Sequence, residues 1–190
     1  MYRISSKTTT SDFLREMQLA SQLIQLGLRP PIIQHLCPIG RKVALRLYKE
    51  NHQGKARSGM LPYDADWITR SSENALHASI FLGIAFDISG LGFAQITKAE
   101  VLIASYNLYC KVINQSLSHF LADSGTIGNL IEINRAWHLI QQFNSRETSL
   151  QICKNCQSRY VVLNTVANYF HRCPMCEVWS QKNKRGRGMA

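Results

Sequence analysis

The sequence predicts a mainly α-helical protein, in which a multi-helix N-terminal domain with a helix-turn-helix-like segment is followed by a small C-terminal β-hairpin module. Apolar residues recur at helical spacing through the first 150 residues, and four closely spaced cysteines lie in the last forty. With 190 residues, 45% of them hydrophobic, the chain is long enough for one core. That core would take about 140 residues and leave a small module to be held together by other means.

Three helices are predicted near the N-terminal end. Ser11 is suited to cap a helix over Asp12–Leu26, and Gly27 follows where a left-handed residue would end it. Two prolines begin a second helix over Pro30–Leu36, because proline is accepted in the first turn of a helix. A Cys-Pro-Ile-Gly segment then separates this helix from a third over Arg41–Asn51. The short helix, the tight turn and the third helix resemble a helix-turn-helix.

The third predicted helix has a basic face and an apolar face. At about 100° per residue, Lys42, Arg46 and Lys49 form a ridge of cations. The second helix of a helix-turn-helix lies in the major groove, so this ridge is a candidate for contact with DNA. A basic helix face can also be merely solvated, and the pattern alone leaves that alternative open. The opposite arc consists of Val43, Ala44, Leu47 and Tyr48.

Three longer apolar helices are predicted further along the chain, over about Ser72–Ile88, Thr97–Leu117 and Ile127–Asn144. Thr97 and Glu100 form a capping-box pattern at the start of the second of these helices. The apolar surface of this second helix is wider than a free amphipathic helix needs, so neighbours are expected on more than one side of it. Those neighbours are either the protein's own core or another subunit.

Positive charge is concentrated at the two ends of the chain. Lysine and arginine number 22 against 12 acidic residues, for a net charge of +10. Residues 1–70, 71–150 and 151–190 have net charges of +6, −2 and +6. Two cationic regions around a near-neutral middle suit a polyanion, because each neutralised phosphate releases counterions. Nucleic acid is therefore the predicted partner, although the same charge can serve only to keep a protein soluble.

Cys153, Cys156, Cys173 and Cys176 form two Cys-x-x-Cys pairs separated by sixteen residues. This spacing is typical of a tetrahedral metal site made by two turns. Thiolates favour a soft, redox-inert ion, and four protein ligands leave no position for water. The pattern therefore predicts a zinc ribbon with one structural Zn²⁺ per chain. A rubredoxin-like iron site, a pair of disulfides and free thiols are the alternatives.

The expected compartment favours a metal over disulfides. The first ten residues are polar and have no apolar leader segment, and no later run approaches the length of a membrane span. We therefore expect a cytoplasmic protein without membrane association, in which thiols stay reduced. Cys37 and Cys110 lie apart in apolar stretches and are predicted to be buried structural thiols.

The residue pattern gives no support for an enzyme or for a small-molecule substrate. No Ser/His/Asp order, His-Glu-x-x-His helix, phosphate loop or carboxylate cluster is present in the sequence. His77, His119 and His138 have no second histidine at the spacing of a metal pair, so we expect packed or capping side chains. His171 is predicted to lie on the ribbon surface, because four cysteines already fill a tetrahedral site.

The ribbon is predicted as a hairpin with the two cysteine pairs at its tip. Gln157–Leu163 and Asn168–Arg172 are its β-prone segments. A module of about 25 residues cannot bury a core, so the metal must supply the free energy of folding. The predicted organisation is a flexible N-terminus (1–10), a helical domain for partner and DNA contact (11–148), the ribbon (149–178) and a basic disordered tail (179–190).

Basic residues in four regions are candidates for contact with phosphates: the third helix, the loop after it, the ribbon and the tail. They are Arg41, Lys42, Arg46, Lys49, Lys55, Arg57, Lys154, Arg159, Arg172, Lys182, Lys184, Arg185 and Arg187.

Several segments together resemble a known family. They are Met17-Gln18-Leu19-Ala20 through Leu26-Gly27, Leu47-Tyr48-Lys49-Glu50, Gly59-Met60-Leu61-Pro62 with Asp66-Trp67, His77-Ala78-Ser79, Arg135-Ala136-Trp137 and the four cysteines. On these segments, which extend over most of the chain, the sequence resembles the FlhC subunit of the bacterial flagellar master transcriptional activator.

The resemblance implies a non-enzymatic, DNA-binding activator that works with a second subunit, FlhD, in a ring-shaped hetero-oligomer. Such a complex bends promoter DNA of flagellar operons and recruits RNA polymerase. The resemblance also implies that the four cysteines are zinc ligands. Two other classes remain open from the residues alone: a zinc-ribbon adaptor that binds RNA or protein without promoter specificity, and an iron-site electron carrier.

Overall fold

The computed structural model describes residues 9–52, 59–90, 96–117, 131–164 and 173–187. A 3₁₀ helix over Ala65–Arg70 and a π-helical turn over Ile113–Leu117 accompany the longer elements. The longer elements are helices α1 (Thr10–Gln25), α2 (Pro30–Leu36), α3 (Arg41–Asn51), α4 (Ser72–Gly90), α5 (Lys98–Val112), α6 (Ile133–Asn144) and α7 (Pro174–Arg187), and strands β1 (Thr148–Ile152) and β2 (Arg159–Leu163).

The chain forms two compact units, one of residues 1–60 with 96–103 and one of residues 61–95 with 104–190. A mostly helical chain with a small C-terminal antiparallel sheet and a four-cysteine cluster confirms the predicted fold class. The units differ from the predicted division at residue 148, because the sheet belongs to the same unit as α4. Among the described residues, no helix combines the length and apolarity needed to cross a bilayer.

In the first unit, α1 begins and ends with hydrogen-bonded caps. The Asp12 N–H donates to Thr9 Oγ1 over 3.2 Å, and the Thr9 N–H donates back to Asp12 Oδ2 over 3.0 Å. The cap is therefore Thr9 and not the predicted Ser11, because Thr9 has an acidic residue three positions on. At the other end, Gly27 has a φ of +92° and the Leu28 N–H reaches the Leu23 carbonyl over 2.9 Å, which confirms the predicted left-handed stop.

Helices α1, α2 and α3 pack against one another. The core of this unit buries side chains from all three, including Leu23, Ile24 and Ile33, and α3 adds Ala44 and Tyr48. The start of α5 joins the same unit. There the predicted capping box is confirmed, since the Glu100 N–H donates to Thr97 Oγ1 over 3.2 Å and the Thr97 N–H donates to Glu100 Oε2 over 2.8 Å. Glu100 also pairs with Arg15 of α1 at 2.6 Å.

In the second unit, α4 is the central element. It contacts the 3₁₀ helix, α6, both strands and α7. These neighbours on several sides explain why α4 is apolar over most of its circumference. The strands pair antiparallel with Leu150 opposite Val161, and the last four residues of β2 are buried.

The predicted packed histidine at position 77 is buried beside α5. Its Nδ1 lies 2.7 Å from the Tyr109 hydroxyl, and the Tyr109 oxygen accepts the Ile131 N–H over 3.2 Å. Burial lowers the pKa of His77 and keeps the ring neutral at neutral pH. His138 packs edge-on against Tyr63, with 4.3 Å between ring centroids. His119 lies outside the described residues.

The sheet is fastened to α4 by two polar contacts. The buried Val161 N–H, on the outer edge of β2, donates to Ser79 Oγ over 3.0 Å. The Arg159 guanidinium donates to both carboxylate oxygens of Asp87 over 2.7 Å each and lies over the Phe86 ring. The helix thus supplies an acceptor for a backbone N–H at the open edge of the strand, which would otherwise be buried unpaired. The ribbon is therefore part of the core of this unit.

Several predicted boundaries differ from the structure. The partner of β2 is β1, which precedes the first cysteine pair, whereas the predicted partner Asn168–Arg172 lies outside the described residues. The π-helical turn replaces the last residues of the predicted helix over Thr97–Leu117. Helix α6 begins at Ile133, and the start predicted at residue 127 lies outside the described residues.

The prediction of a disordered tail from residue 179 was wrong for the nine residues through 187, which belong to α7. Pro174 begins the helix, Glu177 lies in its first turn, and the next helix-breaking residue is Gly186. Cations near the C-terminal end also suit the helix dipole. Residues 1–8 and 188–190, predicted to be flexible, lie outside the described residues.

Helix α6 is followed, two residues after its end, by an arginine in a conformation that suits glycine. Arg146 has a φ of +63°, and the Glu147 N–H reaches the Gln142 carbonyl over 2.9 Å. The Arg146→Gly variant should raise the free energy of unfolding by about 1 kcal/mol, because glycine has no Cβ clash in this region. Arg146→Ala is the matched control, since it removes the same exposed side chain and keeps the Cβ. Equal stability of the two variants in urea denaturation would contradict the prediction.

The hydrogen bond between Ser79 and β2 should be a measurable source of stability. Ser79 is only 4% exposed, and Ser79→Ala would leave the Val161 N–H buried without its acceptor. We expect a loss of about 1–3 kcal/mol in the free energy of unfolding. Ser89→Ala is the control. Ser79 and Ser89 each donate a hydroxyl hydrogen bond to the carbonyl four residues before them in α4, but only Ser79 also accepts from β2. Similar losses for both variants would show that Ser79 contributes nothing to holding the ribbon.

Candidate metal centre and nucleic-acid interface

The first cysteine pair lies in the tight turn between the two strands. The Cys153 N–H donates to the Ser158 carbonyl and the Gln157 N–H donates to the Cys153 carbonyl, each over 2.9 Å. Gln157 has a φ of +59°, which turns the chain sharply enough to enter β2. The Asn155 N–H lies 3.4 Å from Cys153 Sγ. The turn therefore directs the Cys153 thiol towards the backbone N–H of Asn155.

The second cysteine pair lies at the start of α7. The Cys173 carbonyl accepts the Glu177 N–H over 3.1 Å, so Cys173 is the N-terminal cap of the helix and Cys176 lies in its first turn. This differs from the predicted second turn of a hairpin. The positive end of a helix favours thiolates, because unpaired N–H groups concentrate partial positive charge there.

The four sulfur atoms have the spacing of a tetrahedral site. All four lie within 4.8 Å of one another, with Cys153 Sγ 3.8 Å from Cys176 Sγ and Cys156 Sγ 3.6 Å from Cys173 Sγ. Zinc–sulfur bonds of about 2.3 Å in a regular tetrahedron require edges of about 3.8 Å. All four cysteines are free thiols, and the separations exceed the roughly 2.05 Å of a disulfide bond. The cluster can therefore hold a metal ion.

The environments of the four thiols differ. Hydrogen bonds from Ser158 lower the pKa of Cys156 to about 6, whereas burial raises the pKa of Cys173 to about 12. A metal binds thiolates and must displace their protons, so its affinity for the cluster falls as pH falls. The Asn155 side-chain amide also approaches Cys176 Sγ at 3.4 Å and helps to orient that ligand.

Apolar side chains pack against the buried part of the cluster, while Cys156 is exposed. Tyr160 and Val162 of β2 are buried with Cys153 and Cys173, and Met175 packs against the same group. Such packing limits the access of water to a metal centre. Four cysteine ligands would leave no open position on a bound ion, as in structural sites.

The other two cysteines do not join this cluster. Cys37 is buried in the first unit, where burial and the nearby Glu16 raise its pKa to about 12. Cys110 is half-buried, and burial raises its pKa as well. Both therefore stay protonated at neutral pH, as expected of structural thiols. His171 lies outside the described residues.

The candidate cations of α3 lie on one exposed face. Arg41, Lys42, Arg46 and Lys49 are all exposed, while the opposite side of the helix is buried through Ala44 and Tyr48. Arg46 donates from Nε to Glu50 over 2.9 Å, an exposed pair of the kind that contributes little stability. The structure thus agrees with the predicted two-faced helix.

The remaining candidate cations have different positions. Lys154 is exposed in the turn between the strands. Arg159 is held by Asp87, so its guanidinium serves the ribbon contact with α4. The backbone of residues 182–187 belongs to α7, and the side chains of Lys182, Lys184, Arg185 and Arg187 lie outside the described part. Lys55, Arg57 and Arg172 lie outside the described residues altogether.

Three residues that support the ribbon and its cysteine cluster were not predicted from the sequence. Ser79 and Asp87 lie more than 70 positions before the strand that they contact, and Asn155 is an ordinary turn residue. Ser79 and Asp87 are eight residues apart on an apolar helix, a spacing that places two side chains on the same broad face. This spacing is one local signal that both contact the same neighbour. Nothing in the sequence identifies β2 as that neighbour.

Comparison with known proteins agrees with these features. The family model of the flagellar transcriptional activator FlhC matches residues 4–188. A flagellar transcriptional regulator FlhC from Nitrosomonas eutropha is 28% identical over 93% of this chain and 86% of its own length. The FlhC regulators of Sodalis glossinidius and Variovorax paradoxus are each 30% identical to this chain over 90% of its length. These matches span 82% of the Sodalis protein and 79% of the Variovorax protein. With a match over nearly its whole length, the chain belongs to the FlhC family of flagellar transcriptional activators.

Proposed function

We propose that this chain is the DNA-binding subunit of an activator that binds promoters of flagellar operons together with an FlhD-type subunit and recruits RNA polymerase. Membership of a family of transcriptional activators supports this role. The observation that carries it is the exposed face of α3, where four cations lie opposite a buried apolar face. Such a face suits a phosphate backbone, and cytoplasmic promoter DNA is the polyanion that an activator meets.

The proposed DNA contacts come from both units. In the first unit they are Arg41, Lys42, Arg46 and Lys49 of α3, with Lys55 and Arg57 of the loop that follows. In the second unit, Lys154 is exposed and four basic residues lie in the last two turns of α7. Arg172 remains a proposed contact. Arg159 is left out of this set. Both of its terminal guanidinium nitrogens donate to Asp87, and DNA would have to break these two hydrogen bonds to bind it.

We propose that the four cysteines hold one structural Zn²⁺ per chain. The sulfur separations of 3.6 and 3.8 Å match a tetrahedral tetrathiolate site. The ion supplies crosslinks between two segments of chain and performs no reaction, because the four ligands complete its coordination. It would fix the turn between the strands to the first turn of α7. Redox-inert zinc suits this role better than iron, because a purely structural crosslink makes no use of a change in oxidation state.

Zinc removal should destabilise the second unit as a whole. Cys153→Ser should abolish stoichiometric zinc and lower the melting temperature, because the strands that carry the cluster also pack on α4. Cys110→Ser, which changes a thiol outside the cluster, should keep one zinc per chain. Elemental analysis and thermal denaturation with and without a chelator measure both effects. Iron in the purified protein, or an unchanged melting temperature after complete chelation, would contradict the assignment.

Promoter specificity and the role of α3 can be tested in one set of titrations. The full chain co-expressed with its FlhD-type subunit should prefer flagellar promoter DNA over random DNA or RNA by at least about 10³-fold at fixed salt. If about five phosphates are neutralised, log affinity should fall against log salt with a slope of about −4.5. Equal binding to all three nucleic acids would identify a general adaptor and refute the promoter function.

Within the same titrations, the double variant Lys42→Glu/Arg46→Glu should weaken promoter binding at least tenfold and leave zinc content unchanged. The salt slope should become shallower by about 0.9 for each phosphate that the variant no longer neutralises. Lys98→Glu/Lys111→Glu is the matched control, with the same change of net charge at two exposed lysines of α5. Equal weakening by the two double variants would remove α3 from the DNA site and leave only an effect of net charge.

A further inference from the structure

The centre of the exposed face of α3 is apolar. Leu45 is 39% exposed and lies four residues after Arg41 and four residues before Lys49. Residues at this spacing form one row along a helix, so the leucine lies between two cations. Lys42 and Arg46 lie beside this row on the same exposed half of the helix. An aliphatic side chain is thus surrounded by four positive charges.

The orientation of Leu45 is fixed by the packing on the other side of α3. Ala44 and Tyr48 are buried in the core of the first unit, and the Tyr48 ring also packs at a tilt against His52 with 4.4 Å between ring centroids. The helix therefore cannot rotate to hide the leucine without exposing these residues. Leu45 is also in the first half of α3, the part of a recognition helix that reaches base edges.

We propose that Leu45 is a base-reading residue that contacts the 5-methyl group of thymine in the major groove, an inference that rests on the proposed DNA-binding function. An aliphatic side chain has no hydrogen-bonding group, and the thymine methyl is the apolar group that base edges present in that groove. The cations on either side would bind the flanking phosphates and hold the leucine against the bases. An apolar protein surface is a poorer occupant, because it would desolvate Arg41, Lys42 and Lys49 as well as the Arg46–Glu50 pair.

The test is selection of bound sequences from a pool of random double-stranded DNA, with the full chain and its FlhD-type subunit. The unchanged protein should enrich a motif that contains thymine at one or more positions. Leu45→Ala should enrich the same motif with the preference for one of those thymines reduced. Replacing that thymine by deoxyuracil should weaken binding of the unchanged protein about fourfold, the factor for one buried methyl group, and should not affect Leu45→Ala.

The control is Leu14→Ala, which shortens another leucine of the same unit that is 56% exposed. It should leave both the motif and the response to deoxyuracil unchanged. If Leu45→Ala loses folded protein, Leu45→Gln, a straight-chain helix former of similar length, provides a second comparison. Failure of the unchanged protein to enrich any motif would refute the proposed promoter function. An enriched motif that is identical for Leu45→Ala, with the same loss on deoxyuracil substitution, would refute only the role of Leu45.

Discussion

The C-terminal half of the protein depends on the contact between β2 and α4. A two-stranded sheet is marginal by itself, and one of its edges here is satisfied by a helix. Ser79 accepts the Val161 N–H, and Asp87 binds both ends of the Arg159 guanidinium. These bonds place the turn that contains Cys153 and Cys156 on the same unit as the helical core. A metal in the cluster would therefore stabilise a strand that is already fixed, and the helix and the metal would reinforce each other.

Much of the fold could be predicted because its signals are local. The capping box of α5 and the glycine stop of α1 depend on residues within a few positions of each other, and both were predicted. The two faces of α3 follow from helical periodicity alone. The cysteine quartet was predicted to cluster because two short motifs need only one return of the chain to meet. In each case the physical cause acts over a stretch of sequence short enough to recognise.

The missed features depend on pairing between distant segments or on competing local signals. The bonds of Ser79 and Asp87 join residues 82 and 72 positions apart, and serine and aspartate are too common for either to reveal such a pairing. At the C-terminal end, the glycines and the shortage of apolar residues indicated disorder, whereas Pro174 and Glu177 favoured a helix start. The helix prevails through Arg187 because lysine, arginine and glutamine are good helix formers.

The continuous helix changes how a metal centre would assist DNA binding. Because Cys173 caps α7 and Cys176 lies in its first turn, an ion held by both would fix the position and direction in which the helix starts. The basic residues of α7 lie in its last two turns, about 15 Å from that start at 1.5 Å per residue. Because a helix is rigid, fixing its first turn also fixes where its last two turns lie, whereas in a disordered tail the two positions would be independent. The metal would thus act on phosphate contacts by orienting cations outside its own coordination shell.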